Sequence, residues 1–290
     1  MSERYYVLNL RKNDTIMKYL HLDSDFTPYG ETIAFQSFVF NGGEPHIKIL
    51  DINLGDTVTI TQRVNSFNDL GLLLIATDAL RRMGVRYIHA CIPYFPAARQ
   101  DRVMIPGEAL SVKVYADLIN VQNYESVTIF DPHSEVTPAV LNNVVVLPNY
   151  EFIQQCLEQI KEEVVLISPD GGALKKIYKV AEYLGGIPVV ECSKRRDVKT
   201  GALTGFKVYE EDLGGKHGVI VDDICDGGGT FLGLATALQE KNVGKLSLAI
   251  SHGIFSKGFE QLVTAFDTIY TTNSFKDFQN DKLVQIPIAE

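Results

Sequence analysis

The sequence has no tryptophan, and cysteine and methionine each occur only four times in 290 residues. The cysteines, Cys91, Cys156, Cys192 and Cys225, form no CxxC pair, and no histidine spacing beside them suggests zinc. They read as reduced thiols, which points to the cytoplasm. No apolar run is long enough to span a membrane. The longest aliphatic stretch, residues 70–76, falls far short of the roughly 20 residues a span needs. The opening MSERYYVLNLRKND lacks an apolar run followed by a cleavage site, so no secretory signal is expected. Positive charge is not in excess either: 27 Lys and Arg face 36 Asp and Glu, a net charge of −9. A nucleic-acid binder needs a basic face to displace counterions, so a polymer partner is not expected. Basic residues gather only locally, at 194–199, which suits a small anionic substrate in a positive pocket.

What is present is an ordinary globular composition, 46% hydrophobic and 22% charged, which excludes disorder. The length suits two domains. Short apolar runs alternate with helical patterns. Strands are expected at 5–10, 33–40, 46–50, 57–61, 86–92, 126–130, 144–147, 164–168, 188–192, 218–222, 245–250 and 268–271. Helices are expected at 69–83, 109–122, 150–162, 171–184, 230–241 and 256–264. Strand, helix, strand in repetition means parallel pairing with right-handed crossovers. VVLI at 164–167 and VIV at 219–221 are continuously apolar, as in sheets covered on both faces. No internal repeat is visible. The expected fold is α/β with two domains, each a mainly parallel sheet flanked by helices. A polar, proline-bearing stretch at 147–150 places the boundary, giving domains 1–147 and 148–290.

Ligands of open α/β sheets sit beyond the carboxyl ends of the strands, so the residues following each strand are the ones to read. The strongest such segment is GVIVDDICDGGGT at 218–230. A strand is read as ending in Asp222 and Asp223; Asp226, the run Gly227, Gly228 and Gly229, and Thr230 opening a helix follow. Glycines permit positive φ and close backbone approach, and their N–H groups with a helix N-terminus form a phosphate cradle. Carboxylates there suit sugar hydroxyls. A glycine-rich turn with solvated acids is the plainer alternative. YFPAARQDR at 94–102 places two arginines around Gln100 and Asp101 after a strand. An arginine fork suits phosphate, and a solvated basic loop is again the plainer alternative. Asp170, before two glycines, could cap the helix that follows. A lone histidine such as His133 is more often a satisfied polar side chain than a ligand.

Residues 218–230 resemble the PRPP-binding loop shared by PRPP synthetases and type I phosphoribosyltransferases. That loop alone does not separate a maker of PRPP from a user. Residues 94–102 resemble the YFPYARQDR signature of the ribose-phosphate diphosphokinase (PRPP synthetase) family, with Ala at 97. Further segments match the family in the same order. They are FNGGE at 40–44, Gln62 with Asn68 and Asp69, DPHS at 131–134, SPDGGALKK at 168–176, SKRR at 193–196 and HGIF at 252–255. The resemblance spans roughly residues 40 to 258.

It implies a type I phosphoribosyltransferase-like fold and transfer of the diphosphate of ATP to the anomeric hydroxyl of ribose 5-phosphate, giving PRPP and AMP. By resemblance, Phe40, Gly42, Glu44, Arg99, Gln100 and Asp101 bind ATP. Asp222, Asp223, Asp226, Gly227, Gly228, Gly229 and Thr230 bind ribose 5-phosphate. His133 and Asp170 hold Mg²⁺, and Lys194 and Arg196 close on the transferred group as catalytic residues. A cytoplasmic homo-oligomer built on dimers is also implied. The chain departs from the family in three places: its first 35 residues lack the SGSSxxxLAxxIA opening, position 42 is Gly rather than Asn or Asp, and it stops soon after QIPIA without a final helix. The usual hexamer and its regulatory phosphate site between subunits are therefore not carried over. A PRPP-using type I phosphoribosyltransferase, or a non-catalytic PRPP-synthetase-associated regulator, is the competing expectation. The former has no reason to carry FNGGE, ARQDR and SKRR in this order, and the latter usually has altered catalytic loops.

Overall fold

The computed structural model describes residues 17–30, 32–196 and 203–288, with backbone alone for 195, 196, 203 and 204. The strand expected at 5–10 lies outside the described residues. In chain order the elements of the first half are β1 (Lys18–His21), β2 (Phe35–Val39), β3 (Pro45–Ile49), β4 (Thr57–Thr61), α1 (Phe67–Arg82), β5 (Tyr87–Cys91), α2 (Ser111–Asn120), β6 (Ser126–Phe130), α3 (Val136–Val140) and β7 (Val144–Leu147). The second half continues with α4 (Tyr150–Glu158), β8 (Val164–Ser168), α5 (Leu174–Tyr183), β9 (Val189–Arg196), β10 (Leu203–Val208), β11 (His217–Cys225), α6 (Gly229–Gln239), β12 (Leu246–Gly253), α7 (Glu260–Ala265), β13 (Thr268–Thr272) and β14 (Leu283–Ile286).

Two sheets result. The first has the order β1-β4-β5-β6-β7 and is wholly parallel. The second has the order β10-β9-β8-β11-β12-β13-β14, and only β10 runs antiparallel. The break falls between β7 and β8. Helices cover both faces, so strands such as β12 are buried at every position. The first core packs Leu70, Leu73, Ala76 and Leu80 of α1 against Val58 and Ile60 of β4. These helix positions recur at three and four residues, as an amphipathic helix requires. α1 starts where it does because Ser66 accepts from the Asp69 N–H while Asp69 Oδ2 takes the Ser66 hydroxyl at 2.8 Å and the Asn65 N–H at 3.0 Å. That reciprocal cap satisfies N–H groups the helix leaves open.

Three strands and one short helix escape the sequence pattern: β1, β10, β14 and α3. The pair β2–β3 is an antiparallel two-stranded hairpin standing apart from both sheets. β11 also runs on to Cys225, pairing in register with β12 as far as Gly253. Asp222 and Asp223 therefore stand inside the strand near its carboxyl end, on opposite faces, and not beyond it.

The seam between the sheets is polar and buried. Arg63, 5% exposed, pairs with Asp23 at 2.5 Å on its own side. Across the seam it reaches Asp277 at 3.1 Å and the Asn273 carbonyl at 3.3 Å. Asn65 donates to the Phe275 carbonyl at 2.9 Å, and the Tyr94 ring packs edge-on against His252 and Phe275. Among the described residues no helix is long and apolar enough to cross a membrane, and the four cysteines are free and buried.

Candidate active site

The carboxyl ends of β5 and β6 from the first sheet face those of β8, β9 and β11 from the second across a cleft of about 970 Å³. Arg99, His133, Asp170, Lys194, Asp222, Asp223, Asp226, Gly227, Gly228, Gly229 and Thr230 all line it. Side chains far apart in sequence meet there in opposite-charge pairs.

Arg99 Nη1 bonds Asp226 Oδ2 at 2.8 Å across the cleft, and both groups remain about half exposed. The Ser256 hydroxyl also donates to Asp226. These two partners hold the Asp226 carboxyl below the usual carboxylate range. His133 Nδ1 donates to Asp223 Oδ2 at 2.6 Å, and this bond raises the imidazole pKa. Burial would push the Asp223 carboxyl up, but the His133 bond and the Lys176 charge outweigh it, so Asp223 is a carboxylate. Its neighbour Asp222 moves the other way. Burial first, and the Asp223 charge second, push it well above its ordinary value. Adjacent acids are thus shifted in opposite directions, an arrangement that functional sites often use.

Asp170 anchors the turn leading into α5 and makes an ion pair. Its Oδ1 accepts the Gly172 N–H at 2.9 Å and the Ala173 N–H at 3.2 Å, capping the entry to α5. Its Oδ2 pairs with Lys194 Nζ at 2.8 Å. Burial pushes this carboxyl up, and Lys194 with the two N–H groups outweighs it. Arg196 contributes the last residue of β9 by its backbone, and its side chain lies outside the described residues. The glycine run makes a sharp entry to α6. Gly228 caps it at φ +75°, a left-handed conformation that favours glycine. Gly227, Gly228, Gly229 and Thr230 line the cleft where the positive end of the helix dipole lies.

Other expected residues lie elsewhere. Gln100 is exposed and Asp101 buried, and neither lines the cleft. Asp101 is bound by Arg102 at 2.9 Å, which draws its carboxyl down. Phe40, Gly42 and Glu44 form the tip of the β2–β3 hairpin, also outside the cleft lining. There Phe40 packs edge-on with Phe38 and His46. A Cβ on residue 42 would stand 2.5 Å from Glu44 Oε2, so glycine leaves room for that carboxylate to fold over the turn.

Three cleft residues escape sequence reasoning: Asn149, Lys176 and Lys257 line it, together with Arg102, the second arginine of YFPAARQDR. Lys176 lies in SPDGGALKK, but a lysine on an amphipathic helix reads as solvated. Only the fold shows it turned towards Asp131. Among the described residues no three His, Cys, Asp or Glu side chains converge tightly enough to hold a metal ion unaided.

Comparison with known proteins covers both halves. The model of the N-terminal domain of ribose phosphate pyrophosphokinase matches residues 29–122, and that of the phosphoribosyl transferase domain matches 148–275. A ribose-phosphate pyrophosphokinase of Pyrococcus furiosus is 30% identical over 262 residues, covering 88% of this chain and 90% of its own. One of Thermococcus kodakarensis is 32% identical over 242 residues, covering 81% and 83%. The crystal structure of phosphoribosylpyrophosphate synthetase from Mycobacterium smegmatis superposes with a TM-score of 0.76 at 24% identity, over 89% of this chain and 87% of that one. That likeness establishes the fold.

Proposed function

This chain belongs to the ribose-phosphate pyrophosphokinase family, and from that membership we propose that it transfers the diphosphate of ATP to the anomeric hydroxyl of ribose 5-phosphate. The new bond joins the anomeric oxygen to the β-phosphorus. The bond between the β-phosphorus and the oxygen bridging it to the α-phosphorus breaks, and AMP leaves. The observation that carries this reading is the single cleft in which a glycine nest with carboxylates (222–230) faces a cationic group from the opposite sheet, Arg99. One half binds a sugar phosphate and the other a polyphosphate.

Residues 227–230 take the 5-phosphate on backbone N–H groups, and Asp223 and Asp226 accept from ribose hydroxyls. Asp222 lines the same wall of the cleft. Arg99 takes the nucleotide phosphates, with Lys194 supplying positive charge where the diphosphate passes. The chain's own work is alignment and charge neutralisation, which is what phosphoryl transfer needs. The donor set fits Mg²⁺: Asp170 and His133 line the cleft without forming a closed cage, and Mg²⁺ is usually held through one or two carboxylates with substrate phosphates and waters. Bound there, Mg²⁺ supplies neutralisation of polyphosphate charge.

Phe40, Gly42 and Glu44 complete the nucleotide site only if the hairpin meets a cleft. The exposed Phe38 and Phe40 support a homo-oligomer in which another copy covers the hairpin and brings it to its own cleft. Buried free thiols support the cytoplasm as the location.

The test is incubation of the chain with ATP, Mg²⁺ and ribose 5-phosphate. AMP and PRPP in equal amounts are expected, and ATP left intact in the presence of both partners would reject the reading. Asp226→Ala should raise KM for ribose 5-phosphate by about tenfold, the effect of one lost charge-assisted contact. The freed Arg99 leaves KM for ATP unchanged or lower. Equal weakening of both substrates in initial-rate measurements would contradict the division of the cleft.

A further inference from the structure

The substrate roles above leave unused a set of contacts at the seam, all of which grip residues 130–132. His252, 2% exposed, donates from Nε2 to the Phe130 carbonyl at 3.0 Å and the Asp131 carbonyl at 3.3 Å, and its Nδ1 meets Ser274 Oγ at 2.7 Å. Lys176 Nζ donates to the Pro132 carbonyl at 2.6 Å and to Asp131 Oδ1 at 3.0 Å. The other Asp131 oxygen takes the Ser251 hydroxyl at 2.5 Å and the Asn149 amide at 3.1 Å. Every carbonyl from 130 to 132 thus has a donor from the second half of the chain. Asp131 holds φ +36°, outside the regions that non-glycine residues prefer. Such a backbone persists only where its surroundings over-determine it, and these contacts do so. Two residues beyond Asp131 stands His133, whose imidazole reaches Asp223.

An ion pair of this kind needs a reason beyond stability. Paired buried charges often stabilise no better than apolar side chains of the same volume. Lys176 is half-buried, its charge also faces Asp223 and Asp222, and burial acting against these carboxylates leaves its pKa raised. We infer that Lys176 is a positioning residue for the proposed transfer: through Asp131 and the Pro132 carbonyl it fixes the turn that carries His133 against Asp223. The inference rests on the function proposed above.

The test compares the wild type with Lys176→Arg, Lys176→Met and the double variant Asp131→Asn/Lys176→Met. Three quantities are read: AMP release as Mg²⁺ is varied, Mn²⁺ bound beside a non-hydrolysable ATP analogue by electron paramagnetic resonance, and Tm. Lys176→Met should weaken Mn²⁺ binding and raise half-saturating Mg²⁺ about tenfold, within the range usual for groups that orient metal ligands. KM for ribose 5-phosphate should stay within about threefold, since no sugar contact is lost. Lys176→Arg should recover most of the loss. The double variant leaves no unpaired buried charge, so it should regain Tm but not Mn²⁺ binding. Recovery of Mn²⁺ binding together with Tm would overturn the inference in favour of a structural role. Unchanged Mn²⁺ binding with a raised KM for either substrate would overturn it in favour of a direct contact. A wild type that releases no AMP defeats the function, while the Mn²⁺ measurement, needing no turnover, still decides Lys176.

Discussion

Replacing Lys194 with alanine is expected to lower turnover at least about 100-fold, with ribose 5-phosphate binding little changed. The reason lies in where the charge sits. Lys194 stands on β9 with its ammonium 2.8 Å from Asp170 Oδ2 and lines the cleft, whereas the glycine run belongs to the β11–α6 turn. In transfer, negative charge spreads over the moving diphosphate, and a cation placed beforehand offsets it without reorganisation. A cationic group of this kind is worth roughly 10³ to 10⁵ in phosphoryl-transfer rate. The more modest 100-fold floor allows for residual screening by neighbouring basic residues. Removal of Lys194 also leaves the Asp170 carboxylate without its main partner, so the Asp170 pKa should climb towards the ordinary value. Lys194→Arg keeps charge but not point geometry and should fall between wild type and alanine. Near-normal turnover in Lys194→Ala would remove it from the catalytic step. A loss confined to KM would make it a binding residue.

Much of this site is legible along the chain because its chemistry is local. The glycine run needs positive φ at one position and backbone exposure at its neighbours, and both follow from GGG after a strand. The apolar runs of β8 and β11, VVLI at 164–167 and VIV at 219–221, announce themselves because strands covered on both faces are mainly apolar. β1 and β10, KYLH and LTGFKV, carry charges and a glycine because they lie at sheet edges, where solvent satisfies one side. These two edge strands therefore imitate loops in sequence, whereas β7, also at an edge, is apolar throughout and reads as a strand.

The pairings across the cleft are not legible. Arg99 and Asp226 are separated by 127 residues, and His133 and Asp223 by 90. Every cation in a basic loop has several acids to choose from, and only the packing of the two sheets selects one. Lys176 and His252 show this most clearly. Each sits in a motif readable from sequence, yet what each does depends on Asp131, a residue from the opposite sheet whose unusual backbone no propensity predicts. The hairpin tip is the reverse case. Its sequence is read easily, but the fold of one chain does not bring Phe40 and Glu44 to the cleft that holds Arg99.

Gly228→Val should raise KM for ribose 5-phosphate about 100-fold while leaving the fold intact, and the estimate follows from the backbone. At φ +75° a β-branched residue is strained by roughly 1–3 kcal/mol. Its Cβ would in addition lie 3.1 Å from Leu262 Cδ2 and 3.2 Å from Cδ1. The strain is relieved by turning the 227–229 backbone, which aims its N–H groups away from the phosphate. Each 1.4 kcal/mol lost from binding is tenfold in affinity, so relief of about 2 to 3 kcal/mol at the expense of the nest corresponds to about 30- to 140-fold. The neighbouring Gly229 has ordinary φ and open space around its Cβ, so Gly229→Ala is the control and should shift KM by less than about threefold. Isothermal titration with ribose 5-phosphate, run beside titration with a non-hydrolysable ATP analogue, separates the outcomes. If Gly228→Val and Gly229→Ala weaken the sugar phosphate equally, left-handed geometry is not what makes the nest. If Gly228→Val weakens the nucleotide as much as the sugar phosphate, the glycine run is not a site for the 5-phosphate alone.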